Sequence, residues 1–376
     1  MKTIIALLDK EYPPSESFID AMLAIDLPNQ SDIKVQLLVS GAEDVSVIRY
    51  KKAACLPKLY SRRGAYRFLN FFKAVYLLWI LIKRNKTDEI VLFVRNDPIY
   101  LIACSLLKQK NMKLIFQSTF PHEEVSGSFI KRAIAKWLYK LGGVKVDSLL
   151  TVSPKGLERI QKILPHVRKG VAIPMLSEVS VDINDFTIKG KDGKVKFIYI
   201  GDHSQSRKLE VVLQAIVKAN EKGLNAEFRF IGGKKNEIEK LRCVNGVESL
   251  ENTGVLEFVK KIPRRDIWDE LINSDVGLSL IPPDKHFLEA SPTKLTESMG
   301  MGLAVVASYG IDLQEEFVEK SNGGLLCQWN KDAIAECLIS ICYDRHALIK
   351  MKKNAYEYAT KKLNYKEYIE VLRELM

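Results

Sequence analysis

The sequence has no C-x-x-C pair, and its six cysteines (Cys55, Cys104, Cys243, Cys327, Cys337 and Cys342) are scattered over 376 residues. That spacing excludes a disulfide framework and a zinc ribbon, and fits reduced thiols acting as small buried hydrophobes. No apolar run reaches the roughly 18 residues of a membrane span. The nearest, Phe68 to Ile82, is interrupted by Asn70 and Lys73. There is no G-x-G-x-x-G and no G-x4-G-K-[ST], so dinucleotide and P-loop sites lack their phosphate loops. No two aspartates have D-x-D spacing, and the five histidines are dispersed without metal-ligand spacing, so no metal site is expected.

What is present is a globular composition, 47% hydrophobic and 27% charged, with enough apolar material for two cores. The opening run Thr3–Leu8 is short and ends in charge, so it reads as a buried strand and not as a secretory leader. Four more strand candidates follow in the first half: 34–39, 89–94, 113–117 and 148–152. The second half offers six: 195–201, 226–231, 255–258, 276–280, 304–307 and 324–327. Strands alternating with helical patterns imply parallel sheets covered on both faces. The expected fold is therefore α/β, with two doubly wound Rossmann-like domains facing across a cleft. The expected division is 1–172, 173–363 and a final helix, 364–376. Ligands of such sheets bind beyond the carboxyl ends of the strands.

The segment that speaks most of chemistry is Glu289 to Ser308, EASPTKLTESMGMGLAVVAS. Ser291 followed by Pro292 predicts a helix start, with Ser as N-cap and Pro at the first helical position. The free N–H groups of that turn, including Thr293, form an anion site with the positive end of the helix dipole, and Lys294 adds a full charge. A phosphate suits this place. Glu297, further along, is positioned to accept two ribose hydroxyls, and Glu289 to accept hydroxyls of a sugar beyond the phosphates.

This string resembles the donor-site motif of retaining glycosyltransferases of the GT-B fold, particularly family four, which carry E-x7-E followed by a small residue, glycine and a P-V-V-A-S-like strand. Glu289 and Glu297 have that spacing. Ala304 stands where the family usually has proline, and the S-P-T-K-L start looks like a polysaccharide-assembly branch. The resemblance extends to Tyr199–Leu209, where Gly201 ends a strand and Arg207 takes the place of a residue that contacts the diphosphate, with Lys208 beside it. Asp202 stands where the family often has a second arginine. Phe228–Gly233 resembles the second strand and its glycine turn. By resemblance, Ile262, after strand 255–258, packs on the nucleotide base. The likeness is strong over about 195–345.

In the first half, Phe116–Glu124 resembles an S-F-P-x-x-E loop of the same branch, which puts Glu124 at the final glutamate. It also makes His122 a candidate for touching the donor sugar. In the first loop, Tyr12 and Ser15 are candidates for the acceptor side. The resemblance implies a retaining transferase. It moves a sugar from a nucleotide-diphosphate donor to a saccharide or lipid-linked saccharide in cell-surface polysaccharide or lipopolysaccharide assembly, with neither cofactor nor metal. A non-catalytic partner subunit and a nucleotide-sugar epimerase of the same fold remain alternatives.

The net charge of +11 is unevenly placed. Residues 1–172 hold 28 Lys and Arg against 15 Asp and Glu, and the stretch from Arg49 to Thr87 has eleven basic residues and no acidic one. Aromatics interleave with these charges, but no nucleic-acid motif accompanies them and the helix pattern is too apolar for nucleic acid. A basic flank beside an apolar, aromatic helix suits an anionic membrane surface. The expected location is the cytoplasmic face of a membrane, peripherally bound, with a core helix and a solvated face as the competing reading.

Overall fold

The computed structural model describes all residues except 15, 42–46, 61–65, 126, 177–182, 184 and 286. The chain divides into two compact units, one of Met1–Met175 with Tyr365–Met376, the other Leu176–Asn364. The boundaries lie three residues and one residue after those expected from sequence.

The first unit is built on an eight-stranded sheet in the order β3-β4-β2-β1-β5-β6-β7-β8. The strands are β1 (Lys2–Glu11), β2 (Ile33–Ser40), β3 (Ile48–Tyr50), β4 (Ala53–Leu59), β5 (Glu89–Arg95), β6 (Lys113–Ser118), β7 (Ser148–Thr151) and β8 (Lys169–Ala172). All neighbours run parallel except β3 and β4, an antiparallel edge hairpin pairing Ile48 with Cys55. The sequence reading found neither of these strands, nor β8. β4 carries Pro57 and Lys58, and β3 and β8 are too short to show a period.

Between the strands lie α1 (Tyr66–Arg84), α2 (Pro98–Leu107), α3 (His122–Val125), α4 (Phe129–Gly143) and α5 (Pro154–Ile163). Both α2 and α5 start as their sequences direct. Asp97 and Ser153 accept from Ile99 N and Gly156 N, and a proline follows each cap. Leu7, Leu92, Val94 and Phe116 are fully buried beneath them.

The second unit has a six-stranded sheet, β11-β10-β9-β12-β13-β14, parallel throughout. Its strands are β9 (Val195–Ile200), β10 (Ala226–Gly233), β11 (Leu256–Lys260), β12 (Val276–Ser279), β13 (Ala304–Ser308) and β14 (Gly324–Cys327). Its helices are α6 (Leu209–Glu221), α7 (Lys235–Arg242), α8 (Val247–Asn252), α9 (Arg264–Ile272), α10 (Thr293–Gly300), α11 (Asp312–Ser321), α12 (Lys331–Tyr343) and α13 (Arg345–Lys362). Phe197 and Phe228 stack at 4.7 Å in its core. A buried ion pair joins α13 to the start of β12: Lys352 Nζ lies 2.8 Å from Asp275 Oδ1 and also donates to Thr187 O. Asp275 accepts as well from the backbone N–H groups of Lys189 and Lys196.

The last helix, α14 (Ile369–Leu375), belongs to the first unit. Arg373 reaches Asp32 at 3.0 Å, Ser148 Oγ donates to Leu375 O, and Tyr365 packs edge-on against Phe18.

Candidate donor site

In each sheet the strand order reverses beside the first strand of the unit, between β1 and β5 and between β9 and β12. Crevices form at such reversals, outside the carboxyl ends of the strands. In the second unit, β9 ends at Ile200 and Gly201 follows. Gly232, at φ +121°, sits against it so closely that a Cβ would strike the Gly201 carbonyl oxygen. Glycine is therefore required for the two strand ends to approach.

The chain then makes a single 3-10 turn, Gln205–Arg207, and enters α6 through Lys208 in the left-handed region at φ +47°. The Arg207 guanidinium lies over the Phe287 ring, 4.7 Å from its centre, and Lys208 Nζ is 2.8 Å from Asp284 Oδ2. Both candidate diphosphate cations thus touch the loop that follows β12 and carries Glu289. Asp202, in the place of a family arginine, is exposed, and its carboxylate accepts from Ser204 Oγ. The Tyr199 hydroxyl donates to the Asp202 carbonyl at 3.0 Å, and burial pushes the Tyr199 phenol up to about 12 against the pull of Arg207.

The helix after the loop starts later than its sequence suggests. α10 begins at Thr293, Pro292 is the residue before it, and no side chain caps the start. Ser291 is therefore not the N-cap and Pro292 not the first helical residue. The backbone bond from Leu295 N to Pro292 O closes the first turn instead. The helix is anchored by Leu295 and Met299, both fully buried, and by Ser298, which lies where a Cβ on Gly277 of β12 would be.

This anchoring buries Glu297 to 3% exposure. Lys294 Nζ stands 2.9 Å from Glu297 Oε2, and Arg264 Nη2, from α9, stands 3.4 Å from Oε1. A carboxylate oxygen has two lone pairs, so each keeps capacity for a further donor. Lys294 is thus not a free charge at the helix start but the partner of Glu297, with two ammonium protons remaining for an anion. Arg264 was not singled out from the sequence. Its signal was its place, directly after Pro263 at the mouth of the β11 loop. Ile262 in that loop is half-buried against Ile198, Ile200 and Ile231. Glu289 and Ser291 are also half-buried, each with a polar contact, in the loop leading to α10.

In the first unit, His122 is exposed at the start of α3, with its ring edge-on to Phe120 at 5.0 Å. Glu124 is half exposed, 3.8 Å from Lys136. The buried carboxylate of this segment is its neighbour Glu123, which pairs with Arg159 while Arg159 also donates to Ser118 Oγ at 3.0 Å. Tyr12 is partly exposed beyond β1, facing Tyr50 at 6.4 Å. Ser15 lies outside the described residues.

The carboxyl ends of β1 and β5 hold a polar cluster that the sequence reading missed. Arg95, buried, pairs with Asp9 at 2.6 Å and with Glu16, and Asn96 donates to Asp9 and to Thr119 Oγ1. Charged residues placed directly after an apolar strand, as in Phe93-Val94-Arg95-Asn96-Asp97, were the available signal. Among the described residues no group of three or more His, Cys, Asp or Glu side chains is arranged to hold a metal.

Residues 181–362 match the family described as glycosyl transferases group 1, so the second unit carries a glycosyltransferase group 1 domain. No curated protein matches the sequence. Among solved structures the chain is similar to sucrose-phosphate synthase from Thermosynechococcus elongatus, at 14% identity and a TM-score of 0.74, covering 100% of this chain and 98% of that one. It is also similar to HepE of Anabaena in complex with UDP and glucose, at 13% identity and 0.70, covering 99% and 98%. An E. coli trehalose-6-phosphate protein bound with UDP-2-fluoro glucose gives 11% identity and 0.70, covering 99% and 98%. At these identities the likeness establishes the fold, which is that of the GT-B glycosyltransferases.

Proposed function

We propose that the chain is a retaining glycosyltransferase that takes a sugar from a nucleoside-diphosphate donor held by the second unit. The observation that carries the reading is Glu297, a carboxylate buried between Lys294 and Arg264 in the helix after the β12 loop, within the stretch matched by the group 1 family. A buried acid with unused lone pairs beside two cations suits a ribose diol with a diphosphate nearby. Two of the structural relatives were solved with UDP or a UDP sugar, which makes uridine diphosphate hexoses the first donors to try.

The chemistry asks little of the protein as a nucleophile. The acceptor hydroxyl attacks on the face that the diphosphate leaves, and a leaving phosphate oxygen takes its proton. Arg207 and Lys294 offset the negative charge that grows on the diphosphate, and Glu289 orients the sugar. No metal is needed for this step when two side-chain cations serve the phosphates. The acceptor is a saccharide, and the basic first unit fits one carried on a lipid at an anionic membrane surface, in cell-surface polysaccharide or lipopolysaccharide assembly.

The test is incubation with a panel of nucleotide sugars while nucleoside diphosphate release is followed. Proton NMR of the product then reads the anomeric configuration. Release from one donor with retention supports the reading. No release from any donor, with or without candidate acceptors, favours a non-catalytic subunit, and inversion removes the mechanism.

A further inference from the structure

Helices that cover a sheet normally turn their large apolar residues inward. α4 does the reverse. Its inward face is Tyr139, Gly142 and Gly143, and a Cβ on Gly142 would meet the backbone of Ile102 in α2. Its outward stripe is Ile130, Ile134, Trp137 and Leu141, all exposed, with Ile130 at 69% and Trp137 at 60%. The spacing of four, three and four keeps them on one side of the helix.

α1 buries Leu78, Leu81 and Ile82 in the core but carries a second outward stripe, Phe68, Phe72, Tyr76 and Trp79, of which Phe68 is 74% exposed. Thirteen of the eighteen exposed large hydrophobic residues among the described ones lie on α1, on α2, or on α4 and the Val144 that ends it. Isolated apolar side chains on a surface need no explanation, but a patch shared by adjacent helices does.

The polar residues of the patch identify its partner. Residues 66–86 and 129–145 each contain five Lys and Arg and no Asp or Glu. Between α1, α2 and α4 runs a mainly apolar groove of about 660 Å³, walled by Phe68, Ile99, Ile134, Ala135 and Leu138, with Lys131 and His122 among its lining. An apolar face ringed by cations matches the boundary between headgroups and acyl chains of an anionic bilayer. A protein partner would bring acids of its own but would not account for a mainly apolar groove between the helices.

We infer that α1, α2 and α4 form a surface that inserts into an anionic membrane leaflet, and that the groove between them takes a hydrocarbon chain of an anionic amphiphile. This rests on the proposed lipid-linked acceptor and deepens it, since the groove becomes the place for the acceptor's chain. It keeps α1 from the basic stretch 49–87, adds α2 and α4, and gives the β3–β4 turn of that stretch no part in the contact. There Lys51 faces Asp20 at 3.9 Å and Lys52 donates to Asn29. Arg62 and Arg63 lie outside the described residues.

The experiment uses the full chain and vesicles of phosphatidylcholine with or without phosphatidylglycerol at low salt. Wild type sediments with the anionic vesicles. The double variant Ile134→Glu, Trp137→Glu binds at least tenfold more weakly and keeps its fold by circular dichroism. A wild type that ignores anionic vesicles overturns the inference, as does a double variant that binds as well as wild type. So does a dimer, seen by sedimentation velocity, that the double variant dissolves in the absence of any vesicle binding.

For the groove, dodecyl phosphate and butyl phosphate are titrated against tryptophan fluorescence. Wild type prefers the longer chain, and Ala135→Trp loses that preference at least tenfold while still binding vesicles. Phe68→Glu, at an exposed position, is the second variant should the bulky tryptophan disturb packing. Equal affinity for the two phosphates removes the groove as a chain site. Vesicle binding needs no sugar donor, so these outcomes stand whether or not nucleoside diphosphate is ever released.

Discussion

Lys294 and Glu297 face each other at 2.9 Å across one turn of α10, with Arg264 closing the other side of the carboxylate. The pair places two cations beside a side chain of 3% exposure, which is how a buried acidic group is accommodated. It also makes the three residues one unit, so their substitutions will not be additive.

Glu297→Gln preserves the shape of the side chain and removes its charge. It is expected to lower kcat/KM for the donor at least tenfold, about 1.4 kcal/mol of transition-state stabilisation. The Lys294→Ala, Glu297→Gln double variant should lose less than the two single losses multiplied. Steady-state kinetics of the three variants checks both statements.

Arg207 is partly exposed, and its guanidinium lies over the Phe287 ring. Arg207→Ala should therefore leave the melting temperature close to wild type while slowing turnover about tenfold or more, as loss of a charge partner to the leaving group does. Unchanged turnover with a lowered melting temperature would assign Arg207 to packing instead.

Activity should survive excess chelator under otherwise unchanged conditions, because Arg207 and Lys294 supply the positive charge that a metal provides elsewhere. Loss of activity that manganese or magnesium restores would refute this.

His203 sits at 3% exposure among Tyr199, Phe230 and Phe258, and neither ring nitrogen has a partner among the described residues. Burial lowers its pKa, against the opposing pull of Glu237 and Asp202. The folded state therefore holds the ring neutral, while the unfolded chain takes up a proton as pH falls below about 6.5. The stability this group contributes is complete above that value and declines as pH falls toward the lowered folded pKa. Thermal melts from pH 7.5 to 5 should show the decline, and His203→Leu should flatten it.

Lys352→Ala leaves Asp275 buried with only its two backbone donors. Breaking such a pair costs about 3–5 kcal/mol. Denaturant unfolding should show a loss of that size, with Lys352→Arg losing less.

Strands buried on both faces were readable because β1, β5, β9 and β13 are continuous apolar runs with sharp ends. β4 was not, since an edge strand tolerates proline and lysine and so loses its signature. The donor residues were legible because Glu289 and Glu297 keep a fixed spacing on one loop and helix. Arg264 and the Arg95–Asp9 pair were hidden for the opposite reason, since their partners lie far along the chain and meet only through the sheet. Ser291-Pro292 misled because the same dipeptide pattern starts α5 as expected, whereas in α10 the chain enters the helix one residue later.

The first unit is made of Met1–Met175 and Tyr365–Met376, and the Asp275 carboxylate of the second finds its cation only on α13. Neither unit can therefore finish folding while the ribosome is still reading the middle of the message. The first waits with all eight strands made but without its closing helix, its α1 and α4 faces already formed from apolar residues, until residues beyond 364 emerge. During that interval the nascent chain offers a bilayer or a chaperone the same greasy surface that the mature protein keeps.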